Sequence, residues 1–163
     1  MTHLISTRYD SPVGTLTLVA SDEGLRAVIW PDGRLDRVGL AGETLTPGGT
    51  PVLEATAGQL DEYFAGTRTA FDLPLDLQGT PFQLAAWQAL AAIPYGETRT
   101  YGEQADTIGR PSAVRAIGAA NGRNPVSIVL PCHRVIGSNG SLVGFGGGLE
   151  VKAALLEFES RSA

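Results

Sequence analysis

The sequence predicts an α+β protein in two parts. Residues 1–78 form a mixed α/β domain on a small, mainly antiparallel sheet, and residues 79–163 form a helical domain with a helix-turn-helix and an active-site loop. Three observations predict this. Three short apolar runs crowd the first thirty residues, separated by turn signals. Two capping boxes open helices after residue 79. A single cysteine then sits between an Asn-Pro turn and a glycine-rich stretch.

Leu4–Tyr9, Gly14–Ala20 and Leu25–Trp30 read as strands, being rich in β-branched and apolar residues and divided by Ser-Pro and Asp-Glu-Gly. Asp32-Gly33 and Pro47-Gly48-Gly49 mark loops. Thr50-Pro51 supplies an N-cap and a proline in the first turn of a helix. Its core face carries Val52, Thr56, Leu60, Tyr63 and Phe64, and Gly66 stops it. Residues 67–79 read as a further strand plus a linker.

Thr80-Pro81-Phe82-Gln83 is a capping box, and its helix shows Phe82, Ala86, Trp87 and Leu90 on one face. After a turn at Tyr95-Gly96-Glu97, Thr100-Tyr101-Gly102-Glu103 caps a short helix that ends by Gly109. Pro111-Ser112 opens another, running to about Asn121, so the pair reads as a helix-turn-helix. Ala113, Ala116, Gly118, Ala119 and Ala120 are small, with Arg115 the one long cation, projecting off the apolar face of Val114 and Ile117. Such a surface suits either tight helix packing or close approach to a DNA groove. The last helix, from about Leu149 to Glu159, shows Val151, Ala154, Leu155 and Phe158 at core spacing. Glu159 borders that face in the last turn, where the helix dipole disfavours a carboxylate, so an inward partner is expected.

Composition excludes several classes. With 43% apolar residues the chain can bury a sizeable core. No run approaches a membrane span. Met1-Thr2-His3-Leu4 lacks the charged start and apolar stretch of a signal peptide, so a soluble, cytoplasmic protein is expected. The net charge is −5, yet residues 98–134 hold five arginines against Glu103 and Asp106, which is either surface asymmetry or a weak, salt-sensitive DNA footprint.

Cys132 is the only cysteine, which rules out an intrachain disulfide and any cysteine-cluster metal site. It is either a buried packing residue or a nucleophile. A nucleophilic thiol needs a base, and His133 is the better placed of two histidines, His3 lying near the N-terminus. Neighbouring side chains on an extended strand point to opposite faces, so a water relay suits the pair better than direct contact. Asn124-Pro125 forces a turn, and Asn124 can hold it by bonding backbone. Gly144-Phe145-Gly146-Gly147-Gly148 can offer backbone N–H groups to a ligand but fits no phosphate-loop or dinucleotide spacing, so no nucleotide cofactor is expected.

From Pro81 to Glu159 the chain closely resembles the methylated-DNA–protein-cysteine methyltransferases, also called O6-alkylguanine-DNA alkyltransferases. The resemblance rests on the uninterrupted Ile128-Val129-Leu130-Pro131-Cys132-His133-Arg134-Val135-Ile136, on Asn124-Pro125 upstream, and on Gly147-Gly148-Leu149 with Lys152, Leu155, Leu156 and Glu159 downstream. Residues 1–78 match only in general character.

The resemblance implies an N-terminal RNase H-like sheet and direct-reversal DNA repair. Cys132 would accept the alkyl group from O6-alkylguanine, and from O4-alkylthymine, in double-stranded DNA bound through the minor groove. His133 would act as base through a water, oriented by Glu159, and Asn124 would hold the turn. Tyr101 would help rotate the nucleotide and donate its phenol proton to the departing guanine. Arg115 would fill the gap left by the flipped base, with Ser112, Ala116, Ala119, Gly122 and Arg123 along the DNA-binding surface. The Cys132 and Val135 carbonyls, Ser141, Phe145, Gly146 and Gly147 would form the substrate pocket.

Phe145 stands where many relatives carry tyrosine. The structural zinc of some relatives is excluded by the lone cysteine. With no second thiol to regenerate Cys132, transfer would be stoichiometric and self-inactivating, without cofactor or metal. A monomer is expected, with cooperative assembly on DNA left open. Two alternatives remain at this level: a DNA- or lesion-binding module whose cysteine only packs, and a cysteine hydrolase, in which the arginine-bearing helix would have no role.

Overall fold

A computed structural model describes residues 3–162; the Met1-Thr2 start read above lies outside these. Strands β1 (Ile5–Ser11), β2 (Gly14–Ala20) and β3 (Leu25–Ile29) form an antiparallel meander, and the two-residue β4 (Thr46–Pro47) adds parallel to β1. The sheet order is β3-β2-β1-β4. Helix α1 (Pro51–Phe64) packs on it, with the Thr50 hydroxyl accepting from the Leu53 N–H and Leu53, Thr56, Leu60 and Tyr63 turned inward. Gly66 ends the helix region at φ +79°, a left-handed conformation that only glycine adopts freely.

Residues 67–79 form no strand. They make a single bridge, Leu75 to Leu25, and otherwise run irregularly along the β3 edge. The apolar residues Phe71, Leu73, Leu75 and Leu77 pack against the core from this extended segment, so the apolar pattern was real but the ladder was not.

Helix α2 (Pro81–Leu90) has the expected capping box between Thr80 and Gln83. The two-residue β5 (Arg99–Thr100) leads directly into α3 (Tyr101–Thr107), capped by Thr100 and Glu103. Helix α4 is Val114–Gly122, starting two residues later than expected because Pro111 and Ser112 are spent in a turn. Val114 is 42% exposed rather than part of the inward face, which is made by Ile117 and Ala120 with the polar Asn121 beside them. Two side-chain amides lock the helix pair: Gln104 and Asn121 exchange hydrogen bonds of 2.9 and 2.7 Å while buried. The Trp87 indole N–H donates to the Ala120 carbonyl at 2.7 Å, fixing α4 to α2.

The chain closes with a 3-10 turn (Cys132–Arg134), β6 (Val135–Ile136) and α5 (Leu149–Ser162). On α5 the buried residues are Lys152, Leu155 and Glu159, while Ala154 is exposed; the inward face is partly polar, which apolar periodicity alone does not reveal. One core runs through both parts of the chain, joining Leu16, Leu60 and Tyr63 to Trp87, Leu130, Cys132 and Leu155. Among the described residues no helix is long and apolar enough to cross a membrane.

Candidate active site around Cys132

Three backbone attachments place Cys132. The free edge of β3 accepts the segment before it: the Val28 N–H donates to the Pro125 carbonyl at 2.8 Å, and Val28 bridges Val126. Asn124, 3% exposed, then ties the turn across its mouth. Its side-chain N–H donates to the Leu130 carbonyl at 2.7 Å, and its Oδ1 accepts from the Val126 N–H at 3.0 Å. Beyond the cysteine, β6 pairs in parallel with β5, which sets Tyr101 at the head of α3 beside the thiol turn. Inside the turn, buried Ile128 holds φ +75°, a conformation strained for a β-branched residue.

The thiol is 6% exposed. Burial pushes its pKa up, and the Asn124 amide, the Ser127 hydroxyl and the Lys152 ammonium offset this only in part. The resting form is therefore the neutral thiol, which needs a base to become a nucleophile. The Ser127 Oγ stands 4.0 Å from Sγ. No hydrogen bond joins His133 to Cys132 directly, although the two residues lie in a 3-10 turn rather than on the extended strand that the adjacency argument assumed.

His133 is fully buried, with Nε2 2.6 Å from Glu159 Oε2. Burial lowers its pKa, against the pull of Glu159, so the imidazole is neutral at pH 7. Burial alone would raise the Glu159 carboxyl, but hydrogen bonds from His133, Arg134 and Tyr63 hold it at about 2. A carboxylate can only accept, so the imidazole proton sits on Nε2 and Nδ1 keeps its lone pair. Nδ1 is buried and makes no hydrogen bond. That is the state a general base requires.

Glu159 is the hub. The Arg134 guanidinium donates to Oε1 at 2.8 Å and to Oε2 at 3.0 Å, and its third nitrogen donates to the Ile93 carbonyl at 2.7 Å. The Tyr63 hydroxyl donates to Oε2 at 2.6 Å from α1. The expected inward partner of Glu159 thus exists: three side chains donate to it, and the Gly96 N–H adds a longer bond at 3.5 Å.

On the other side of the thiol lies the loop over residues 140–147. Tyr101 and Lys152 both donate to its Val143 carbonyl, at 3.0 and 2.9 Å. Burial raises the Tyr101 phenol pKa, and Cys132, once ionised, raises it further. Phe145 packs edge-on against Trp30 at 5.4 Å, and Arg37 donates to the Gly146 carbonyl at 3.0 Å, so the sheet side of the molecule braces the loop. A Cβ on Gly147 would lie 2.8 Å from the Trp30 ring, which is why glycine stands there. Ser141 is exposed and bonds Asn139 within its own turn. Between this loop and α4 runs a cleft of about 510 Å³, lined by Tyr101, Val114, Gly118, Gly122, Phe145 and Gly146 among others.

Arg115, Ala116, Ala119, Gly122 and Arg123 are all exposed on α4 and its end, and Ser112 on the preceding turn. Arg123 turns toward the first part of the chain and donates to the Asp36 carbonyl at 3.4 Å. Val135 is fully buried, with its N–H donating to the Cys132 carbonyl. Among the described residues no group of His, Cys, Asp and Glu side chains could hold a metal ion.

Sequence reasoning gave no role to Tyr63, Arg134, Lys152, Ser127, Trp30 or Arg37. Lys152 had a signal, since it shares the 152, 155, 159 helical face with Glu159. Tyr63 had a weaker one, a phenol on a buried face that must find an acceptor.

Comparison with known proteins adds an independent line. Residues 4–77 match the family model described as "6-O-methylguanine DNA methyltransferase, ribonuclease-like domain", and residues 81–161 its "DNA binding domain". The methylated-DNA–protein-cysteine methyltransferase of Mycobacterium tuberculosis is 49% identical over 154 residues, covering 94% of this chain and 91% of the relative. That of Methanosarcina acetivorans is 44% identical over 151 residues, covering 93% and 95%. The crystal structure of M. tuberculosis OGT in complex with DNA superposes with a TM-score of 0.84 at 47% identity, covering 99% of this chain and 94% of that one.

Proposed function

The chain belongs to the methylated-DNA–protein-cysteine methyltransferase family and acts in DNA repair by alkyl transfer to a cysteine, and we propose that the acceptor is Cys132 and the lesion O6-alkylguanine, with O4-alkylthymine as a second substrate. The observation that carries this is the relay: a neutral His133 with Nε2–H held by ionised Glu159 and a free Nδ1 one residue from a thiol that needs a base.

The thiol proton passes through one water to His133 Nδ1. The sulfur attacks the alkyl carbon; the S–C bond forms as the C–O6 bond breaks, and the electron pair leaves on guanine. Guanine takes a proton from the Tyr101 phenol, which the imidazolium's proton restores. The atoms balance with no further reactant, so no cofactor enters. The product is a thioether without a leaving group, so each molecule acts once.

Minor-groove binding of duplex DNA fits the surface. Small residues Ala116, Ala119 and Gly122 let α4 approach closely, Arg115 is free to enter the stack, and the cleft beside Phe145 and Gly146 shares Tyr101 with the thiol's surroundings. Ser112 and Arg123 flank that surface; Val135 and Ser141 flank the base. We assign residues 1–78 to bracing the site and 79–163 to DNA binding and transfer. The working unit is a monomer, able to assemble side by side on DNA, and its compartment is the cytoplasm.

Intact mass tests this. The protein is mixed with duplex DNA carrying one O6-methylguanine, beside a Cys132→Ser control. A gain of about 14 Da on wild type alone, the methylene difference between thiol and thioether, is expected. No gain with DNA binding intact would overturn the transfer chemistry.

A further inference from the structure

Glu159 Oε2 accepts three hydrogen bonds: from His133 Nε2 at 2.6 Å, from Arg134 at 3.0 Å and from the Tyr63 hydroxyl at 2.6 Å. Two of these donors belong to the thiol turn itself. The third comes from α1, 96 positions away along the chain and on the far side of the core. Tyr63 is fully buried. Its ring is boxed edge-on by Phe64 at 5.0 Å and Tyr95 at 6.1 Å and faces Phe71 and Phe158, both at 5.6 Å. A ring so enclosed cannot swing its hydroxyl elsewhere, and burial with the Glu159 charge raises its pKa far above the ordinary 10. It is a permanent donor and takes no part in proton transfer.

We infer that Tyr63 is a positioning residue for alkyl transfer: its hydroxyl holds the Glu159 carboxylate and draws charge from the oxygen that His133 also uses. This rests on His133 being the base. The physical consequence has a definite sign. An oxygen relieved of the phenol proton concentrates more negative charge against His133 Nε2–H and stabilises the imidazolium. The base would then be protonated, and useless, at a higher pH. The other charged or titratable groups facing the pair are Arg134 from the thiol turn, Lys152 from α5 and, toward Tyr63, Tyr95 from the loop after α2. Arg134 and Lys152 both oppose an imidazolium, so the phenol works with them to keep the base neutral.

Tyr63→Phe removes one oxygen and keeps the ring. The chain has only two histidines, so the His133 imidazole can be followed by ¹⁵N nuclear magnetic resonance in the free protein, without DNA. The expected result is a His133 titration midpoint raised by about half a unit or more in Tyr63→Phe. Single-turnover transfer should show its acid limb moved upward by the same amount, with about a threefold loss on that limb, below the midpoint, that disappears as pH rises through neutral. Phe64→Leu serves as the packing control: it loosens the same aromatic box but keeps the hydroxyl, so it should lower Tm without moving either midpoint. An unmoved His133 midpoint in Tyr63→Phe, or a loss of rate equal at every pH, would overturn the inference. Because the resonance readout needs no transfer, a wild type that fails to alkylate would count against the base assignment separately.

Discussion

The two sides of Cys132 are built on opposite plans. Behind the thiol, His133, Arg134, Glu159 and Tyr63 are all buried, and Glu159 is bound from three directions at 3.0 Å or less. In front of it, the loop over 140–147 and helix α4 show exposed small residues, the exposed cations Arg115 and Arg123, and a cleft of about 510 Å³. A proton acceptor must be fixed before substrate arrives, because reorganising it during reaction would forfeit rate. A surface that receives a partner gains its order from the partner. Perturbing the rear should therefore damage stability and chemistry together, whereas perturbing the front should spare the fold.

The most severe break is Glu159→Gln. It leaves Arg134 buried without its anion, which costs about 3–5 kcal/mol, and calorimetry should show the loss. Surviving protein should transfer about 100-fold more slowly, by quenched single-turnover assay. The same change removes a pH dependence. The Glu159 carboxyl is held at about 2 against an ordinary 4.5, so the unfolded chain takes up that proton first as pH falls. Wild-type stability from this group is complete above 4.5 and is lost as pH drops toward 2; Glu159→Gln should fall less steeply than wild type across that window in acid melts, keeping only the slope from other carboxylates such as Asp36.

Asn124→Ala stands next. It strands the Val126 N–H inside the thiol turn, at about 1–3 kcal/mol, and leaves the Leu130 carbonyl with the Cys132 N–H as its remaining donor. Denaturant unfolding should register this, and the Cys132 thiol, losing the amide that favours its thiolate, should titrate higher than in wild type. Gly147→Ala tests the border between the two plans. Its Cβ meets Trp30 at 2.8 Å, so the loop must shift, with about 1–2 kcal/mol lost and transfer slowed more than stability suggests. Arg115→Ala should be the mildest for the fold, within about 0.5 kcal/mol by melt. Its effect should appear instead as DNA affinity lowered about tenfold with a shallower salt dependence. A large Tm loss there would end the comparison.

How far the sequence reveals these two plans follows from the range of the interactions. Thr80 with Gln83 and Thr100 with Glu103 announce their helices because each capping box closes within four residues. The three N-terminal strands are legible because their alternation and turns are local. The segment 67–79 misleads because its leucines are buried without strand partners. Cys132, His133 and Glu159 are legible through the family signature, whereas the Tyr63 contribution is not, since nothing near residue 63 hints at residue 159. Lys152 lies between: its period matches Glu159, but a lysine on a core face reads as an exception until the Val143 carbonyl appears beside it.

The order in which these residues are made has its own consequence. Tyr63 precedes the thiol by 69 positions and Glu159 follows it by 27. During synthesis, Cys132 and His133 emerge before the carboxylate that sets the imidazole's tautomer. Until α5 folds back, the thiol has no oriented base and Arg134 has no anion to hold. On the mechanism proposed above, a growing chain therefore carries an unarmed sulfur, and the single transfer assigned to it waits for the finished molecule.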